Sequence, residues 1–137
     1  MGIVTTMSIA VVHTSNWLHT FSEKGRDGER RITEAGATLT DRALREAYNA
    51  IGKGGPEKGA PDFYIFKGGD GETHLEDEGR TKVIRLPGVV EKCYAKIDDY
   101  GEPDQWAEMY EPEIVKDLKA GLRGSRYSLT IMLASDY

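Results

Sequence analysis

The sequence contains one cysteine and no apolar run long enough to cross a membrane. Its longest apolar stretches, at residues 9–12 and 86–90, are far shorter than a membrane span. A single cysteine excludes an internal disulfide, and the first residues lack the basic and apolar segments of a secretory signal. We therefore expect a protein of the reducing cytoplasm that has no membrane partner.

The sequence also lacks any motif that would identify an active site. Its three histidines, His13, His19 and His74, do not combine with Cys93 at the spacing of zinc ligands. Cys93 lies among apolar residues, which predicts a buried, unreactive thiol. We predict no catalytic residue, no cofactor and no metal, with a metal site as the less favoured alternative. Replacing any one of these four residues should affect stability at most.

A glycine-rich segment, GKGGPEKG at residues 52–59, raises the question of phosphate binding, because backbone N–H groups of such loops can hold anions. A P-loop, however, follows a strand and opens a helix. Here the glycine-rich segment follows a predicted helix and leads into a predicted strand. A flexible connector is therefore the favoured interpretation, since glycine and proline are above all turn residues.

Length and composition predict a single folded domain spanning residues 1–137. Hydrophobic residues make up 39% of the chain and charged residues 30%, a balance typical of globular proteins. The formal net charge is −5, so the whole molecule does not attract nucleic acid, which we consider an improbable partner.

The acidic charge is concentrated in one segment. Residues 98–117 contain eight acidic residues and one lysine, so the rest of the chain carries a net charge of +2. Aromatic and methionine side chains, the usual anchors of protein interfaces, lie among these carboxylates. We predict a docking surface for a basic protein partner that includes Tyr100, Trp106, Glu108, Met109, Tyr110 and Glu111. The alternative, which the charge run by itself favours because most charged runs are solvated surface, is a solvated helix face whose Trp106 packs into the core.

Hydrophobic periodicity predicts the element order β-β-β-α-β-β-β-β-α-β. The first strand covers residues 3–14, a hairpin pairs 17–21 with 30–33, and later strands cover 62–67, 72–76, 81–86, 89–97 and 126–137. Strands in consecutive runs joined by short turns indicate antiparallel pairing. We therefore expect an α+β fold with a mostly antiparallel sheet and two main helices packed on one face.

The two helices are predicted from apolar stripes and capping residues. Thr38 or Thr40 would cap the first, whose stripe is Leu44, Ala47, Tyr48 and Ile51. The second region, 103–122, should break before Pro112, because proline fits the first turn of a helix and not its interior. The expected core comprises Val11, Leu44, Tyr48, Ile65, Ile84, Ile114, Leu118, Leu129 and Ile131.

One short stretch resembles a known enzyme family. Residues 59–66, GAPDFYIF, resemble the GxPDhhhF start of the PD-(D/E)xK nuclease core. The resemblance implies that Asp62, with a Glu-x-Lys motif on the next strand, would hold Mg²⁺ and activate water. The next predicted strand contains Glu76 but no lysine two residues after an acid. A small Mg²⁺-dependent nuclease is therefore the alternative function.

The leading functional hypothesis is a non-enzymatic protein that acts by contact. A small, acidic chain without a recognisable site suggests an assembly subunit or inhibitor of the kind viruses and mobile elements encode, working in the host cytoplasm or in the virion. We also expect a homo-oligomer. The predicted first strand carries no charged side chain apart from a protonatable His13. It therefore lacks the charge that usually prevents an edge strand from pairing with another chain.

Overall fold

A computed structural model describes residues 8–137 of the chain. The strands are β1 (Ile9–His13), β2 (Ser22–Lys24), β3 (Arg30–Ile32), β4 (Phe63–Gly68), β5 (His74–Glu76), β6 (Thr81–Leu86), β7 (Cys93–Asp99) and β8 (Tyr127–Leu133). The helices are α1 (Ser15–Thr20), α2 (Glu34–Gly52), α3 (Trp106–Met109) and α4 (Pro112–Leu122). The part of the predicted first strand that precedes Ser8 lies outside the described residues.

Six strands form one sheet in the order β1-β8-β7-β4-β6-β5. The pairs β8–β7, β7–β4 and β6–β5 are antiparallel, whereas β1–β8 and β4–β6 are parallel. The predicted α+β class with a mostly antiparallel sheet is confirmed. The expectation that consecutive strands pair is wrong for β4 and β5, which β6 separates, and for β6 and β7, which β4 separates.

The predicted hairpin after the first strand is half correct. β3 lies within the predicted second strand, but it pairs antiparallel with β2, which begins just after the predicted first strand at residues 17–21. Residues 17–20, however, belong to helix α1 and not to a strand. The Thr14 hydroxyl accepts a hydrogen bond from the Trp17 N–H and so caps this helix. The chain therefore turns immediately after β1, and Trp17 of this helix is fully buried in the core.

Helix α2 begins earlier than predicted. Thr33, not Thr38 or Thr40, is the N-cap, and its hydroxyl accepts a hydrogen bond from the Gly36 N–H. The buried positions are Gly36, Leu39, Ala43, Ala47 and Ala50, whereas Tyr48 is 37% exposed. The small residues on this stripe let the helix approach the sheet closely.

The two long helices pack on opposite faces of the sheet, so the expectation of a single helical face is wrong. Ile9 and Val11 pack against the main cluster, which contains Leu39 and Ala43 of α2. Ala10 packs against a second cluster, formed by Trp106, Val115 and Leu122. Successive residues of a strand point to opposite faces, so α2 and α4 lie on different sides.

The predicted core is consequently divided. Ile84, Leu129 and Ile131 are fully buried in the main cluster, with Val11 and Leu44 packed against it. Leu118 packs against the second cluster. Ile65 is half-buried, while Ile114 is 45% exposed and is a surface residue.

Candidate interaction surfaces

The aromatic residues of the acidic segment hold its backbone in place. Trp106 is 1% exposed, and its indole N–H donates to the carbonyl oxygens of Tyr100 at 3.0 Å and Gly101 at 3.1 Å. The Tyr110 hydroxyl also donates to the Tyr100 carbonyl oxygen, at 3.1 Å. Trp106 therefore packs in the core and does not offer a partner its ring. Tyr100 and Tyr110 are half-buried beside it.

The exposed side of this segment combines carboxylates with apolar side chains. Met109 is 52% exposed and Ile114 is 45% exposed. Four exposed carboxylates lie between residues 108 and 117, and none forms an ion pair with another described residue. We define the acidic surface as Glu108, Met109, Glu111, Glu113, Ile114 and Asp117. Glu108, Met109 and Glu111 were predicted for this surface, but Ile114 was expected in the core.

The earlier part of the acidic segment is neutralised within the chain. Arg126 forms a two-bond contact with Asp99, at 2.7 and 2.9 Å, and reaches Glu102 at 2.8 Å. This guanidinium holds the pKa of the Asp99 carboxyl below its ordinary value, mainly by hydrogen bonding. The contact links the last residue of β7 to the residue that precedes β8. Lys96 lies 3.6 Å from Asp98.

A cleft of about 440 Å³ opens next to this contact, between the end of α2, the glycine-rich segment and the ends of β7 and β8. Its lining includes Glu57, Asp62, Asp98 and Asp99, and Arg126 is the one cation that the described residues contribute to it. Three of these four acids lie next to a cation: Asp62 next to Arg80, Asp98 next to Lys96 and Asp99 next to Arg126.

The outer edge of β1 is the second candidate surface. β1 pairs with β8 only, so its other side has no neighbouring strand in the described structure. None of its five residues carries an acidic or a strongly basic side chain, and Val12 is 42% exposed. Unpaired backbone groups on such an edge are open to another strand.

The histidines and Cys93 make separate contacts. His13 contacts the Thr40 hydroxyl at 3.0 Å and stacks on Trp17, and burial lowers its pKa. His74 contacts Glu76 at 2.9 Å, and His19 is exposed in the last turn of α1. Cys93 is buried, as predicted. Between residues 8 and 137, no three His, Cys, Asp or Glu side chains are grouped so that they could hold a metal ion.

The glycine-rich segment directs its N–H groups inward. Gly54 and Gly55 donate to carbonyl oxygens at the end of α2, while Lys58, Gly59 and Ala60 donate to Gly55 and Pro56. These groups are therefore unavailable to a phosphate. The geometry agrees with a connector.

The two acidic positions suggested by the nuclease resemblance do not meet on neighbouring strands. Asp62 immediately precedes β4, whereas Glu76 ends β5, and β6 separates these two strands. Asp62 lies 3.4 Å from Arg80, and Glu76 is engaged with His74.

Across the part of the chain that the structure describes, no helix has the length and apolar character needed to span a bilayer. Comparison with known proteins found no matching family, no similar curated protein and no similar solved structure.

Proposed function

We propose that this chain is a non-enzymatic contact protein that binds a basic protein segment through the acidic surface. One observation carries the proposal: two exposed apolar side chains, Met109 and Ile114, lie among four exposed carboxylates without ion-pair partners in the described chain. An apolar centre with a charged rim is the usual anatomy of a protein interface.

The backbone under this surface supports the proposal. Two hydrogen bonds from the Trp106 indole and one from the Tyr110 hydroxyl hold the chain that follows β7. Pro112 occupies the first turn of α4 and fixes where that helix begins. A surface held in one conformation loses less entropy on binding, which favours affinity.

The chemistry of the partner follows from the surface. Carboxylates attract lysine and arginine, and the exposed Met109 and Ile114 fit apolar side chains on the same segment. A basic amphipathic helix presents both groups at once. An assembly subunit or small inhibitor of viral or mobile-element type, acting in the cytoplasm, belongs to this same proposal.

The test uses a labelled amphipathic helical peptide built from lysine and leucine as the probe, with fluorescence anisotropy as the measurement. The full chain should bind it, and Glu108→Lys combined with Glu111→Lys should weaken binding at least about tenfold. Met109→Ala should weaken binding several-fold, because it removes an apolar contact.

The matched control is Asp70→Lys combined with Glu72→Lys, which changes the net charge equally at an exposed turn. This control should retain most of the affinity. Equal losses in both double variants would show that only the overall charge matters, and the proposal would fail. Nothing in the geometry of residues 8–137 favours the nuclease alternative.

A further inference from the structure

The backbone of β1 pairs with β8 on one side and has no strand partner on the other side among residues 8–137. The Thr14 N–H donates to the Ile131 carbonyl oxygen at 3.0 Å, so the backbone groups of Thr14 point towards β8. Backbone direction alternates along a strand. Ala10 and Val12 therefore also point towards β8, whereas Ile9, Val11 and His13 direct their N–H and C=O groups outward.

We propose that a second copy of this chain pairs with the outer edge of β1, antiparallel and centred on Val11, so that two sheets become one continuous sheet. In this register Val11 faces Val11 of the second copy, and Ile9 faces His13 of the second copy. Each of these residues directs its backbone outward. The arrangement thus gives hydrogen-bonded pairs, which exchange two bonds each, at every outward position.

The side chains of β1 suit pairing with themselves. A two-fold contact places each residue opposite a symmetry-related one, so any fixed charge on the strand would lie close to its own copy. The sequence of β1 is IAVVH, which contains no acid, lysine or arginine. Its one titratable residue, His13, lies opposite Ile9 of the second copy and is half-buried next to Thr40.

Packing across the new strand pair is also favourable. Ala10 and Val12 occupy the non-hydrogen-bonded positions, where side chains of opposite strands come closest. Val12, 42% exposed, would pack on the small Ala10 of the second copy. Burying these apolar surfaces offsets part of the cost of association.

The opposite edge of the sheet lacks these properties. β5 has only three residues, all exposed, and ends with Glu76. It also offers Leu75, 57% exposed, which makes it a matched control position. The proposed pairing does not depend on the acidic surface and can hold or fail separately from it.

The first experiment measures the mass of the full chain by analytical ultracentrifugation over a wide concentration range. We expect a monomer–dimer equilibrium. Val12→Lys should weaken it at least about tenfold, because it places a charge at the strand edge. Leu75→Lys, an equivalent change on β5, should leave the equilibrium as it is. A monomer at every concentration, or equal effects of the two variants, would overturn the proposal.

The second experiment tests the register by disulfide formation between variants that each gain one cysteine beside the native Cys93, and it does not require Val12→Lys to fold. Residue 10 of one copy and residue 12 of the other should have Cα atoms about 4.5 Å apart, within disulfide range. Two copies of residue 10 should lie diagonally, about 7–8 Å apart.

A mixture of Ala10→Cys and Val12→Cys should therefore cross-link much faster than either variant alone. The native Cys93 is fully buried, so the unmodified chain gives the background rate of cross-linking. Equal rates in the mixture and in the separate variants, or no cross-linked dimer at all, would contradict the proposed register.

Discussion

Cys93 shows how burial decides what a reactive residue type can do. Its side chain is fully buried in the main cluster, and its thiol donates to the Glu91 carbonyl oxygen at 3.3 Å. Burial raises the pKa of this thiol to about 11, while the nearby Trp17 indole opposes the shift in part. The thiolate, which is the nucleophile, is therefore scarce at neutral pH.

We predict that Cys93 reacts very slowly with iodoacetamide at pH 8 in the folded protein. Its rate should rise by at least about a hundredfold in denaturant, where its pKa returns to the ordinary range near 8.5. Mass spectrometry of the alkylated chain measures both rates. Fast alkylation of the folded chain would show that Cys93 is accessible, which this structure does not allow.

At the scale of single elements, the sequence predicted those whose signals are local. The break before Pro112 is confirmed, since proline cannot occupy a helix interior without losing a hydrogen bond. The three-residue strand β5 lies within the predicted strand at residues 72–76. Helix α1 was missed because its six residues are too few to show helical periodicity, although Thr14 provides a recognisable cap.

Sheet order and the sides occupied by the helices could not be predicted in the same way. Pro87 and Gly88 predict a turn between β6 and β7. A turn does not determine whether β7 pairs with β6 or lies on the far side of β4, as it does here. For α2, the larger side chains suggested a stripe through Tyr48, whereas the buried stripe runs through Ala43 and Ala47. Close packing against the sheet selects small residues here, which hydrophobicity alone does not reveal.

The acidic surface was predicted only in part, because the sequence does not show which of its side chains the fold buries. The acidic segment is visible in the sequence, and Glu108, Met109 and Glu111 are exposed as a docking surface requires. Trp106 was expected at that surface because tryptophan is common at interfaces. Its burial depends on the two carbonyl oxygens that accept from its indole, and these are positioned only by the folded turn after β7.

The contact between Asp99 and Arg126 gives stability a dependence on pH. Arg126 holds the pKa of Asp99 below its ordinary value. The stabilisation is therefore present above the unfolded-state pKa, near 3.9, and is lost as the pH falls through the lower folded-state value. Both side chains are substantially exposed, so the contact should contribute about 0.5–1 kcal/mol at neutral pH.

We predict that Asp99→Asn lowers the free energy of unfolding at pH 7 by that amount and has less effect at pH 2. Urea unfolding at both pH values measures the difference. Arg126→Gln is the second single variant. The double variant should lose less free energy of unfolding than the two single variants together, because both substitutions remove the same contact. Strict additivity would show that the two residues do not interact in solution.

At the scale of the whole molecule, the two proposed contacts differ in their charge. Residues 98–117 carry eight acidic side chains and one lysine, whereas β1 carries no fixed charge. Helix α4 contacts β1. In the proposed dimer the two-fold axis is perpendicular to the sheet, so both copies of α4 lie on the same side. Helix α4 itself carries two carboxylates and two lysines, but each copy of the chain has a net charge of −5, so the two copies should repel each other.

The two contacts should therefore respond to salt in opposite directions. Raising the ionic strength from about 0.05 M to about 0.5 M shortens the screening length several-fold and weakens interactions between exposed charges. Binding of the basic peptide at the acidic surface should weaken, because attraction between opposite charges drives it. Self-association through β1 should strengthen, because screening removes repulsion between two acidic copies and leaves the backbone hydrogen bonds and apolar packing. Ultracentrifugation and anisotropy at matched salt concentrations measure the two trends. Dimers that dissociate as salt rises would place the self-association contact on charged residues and away from β1.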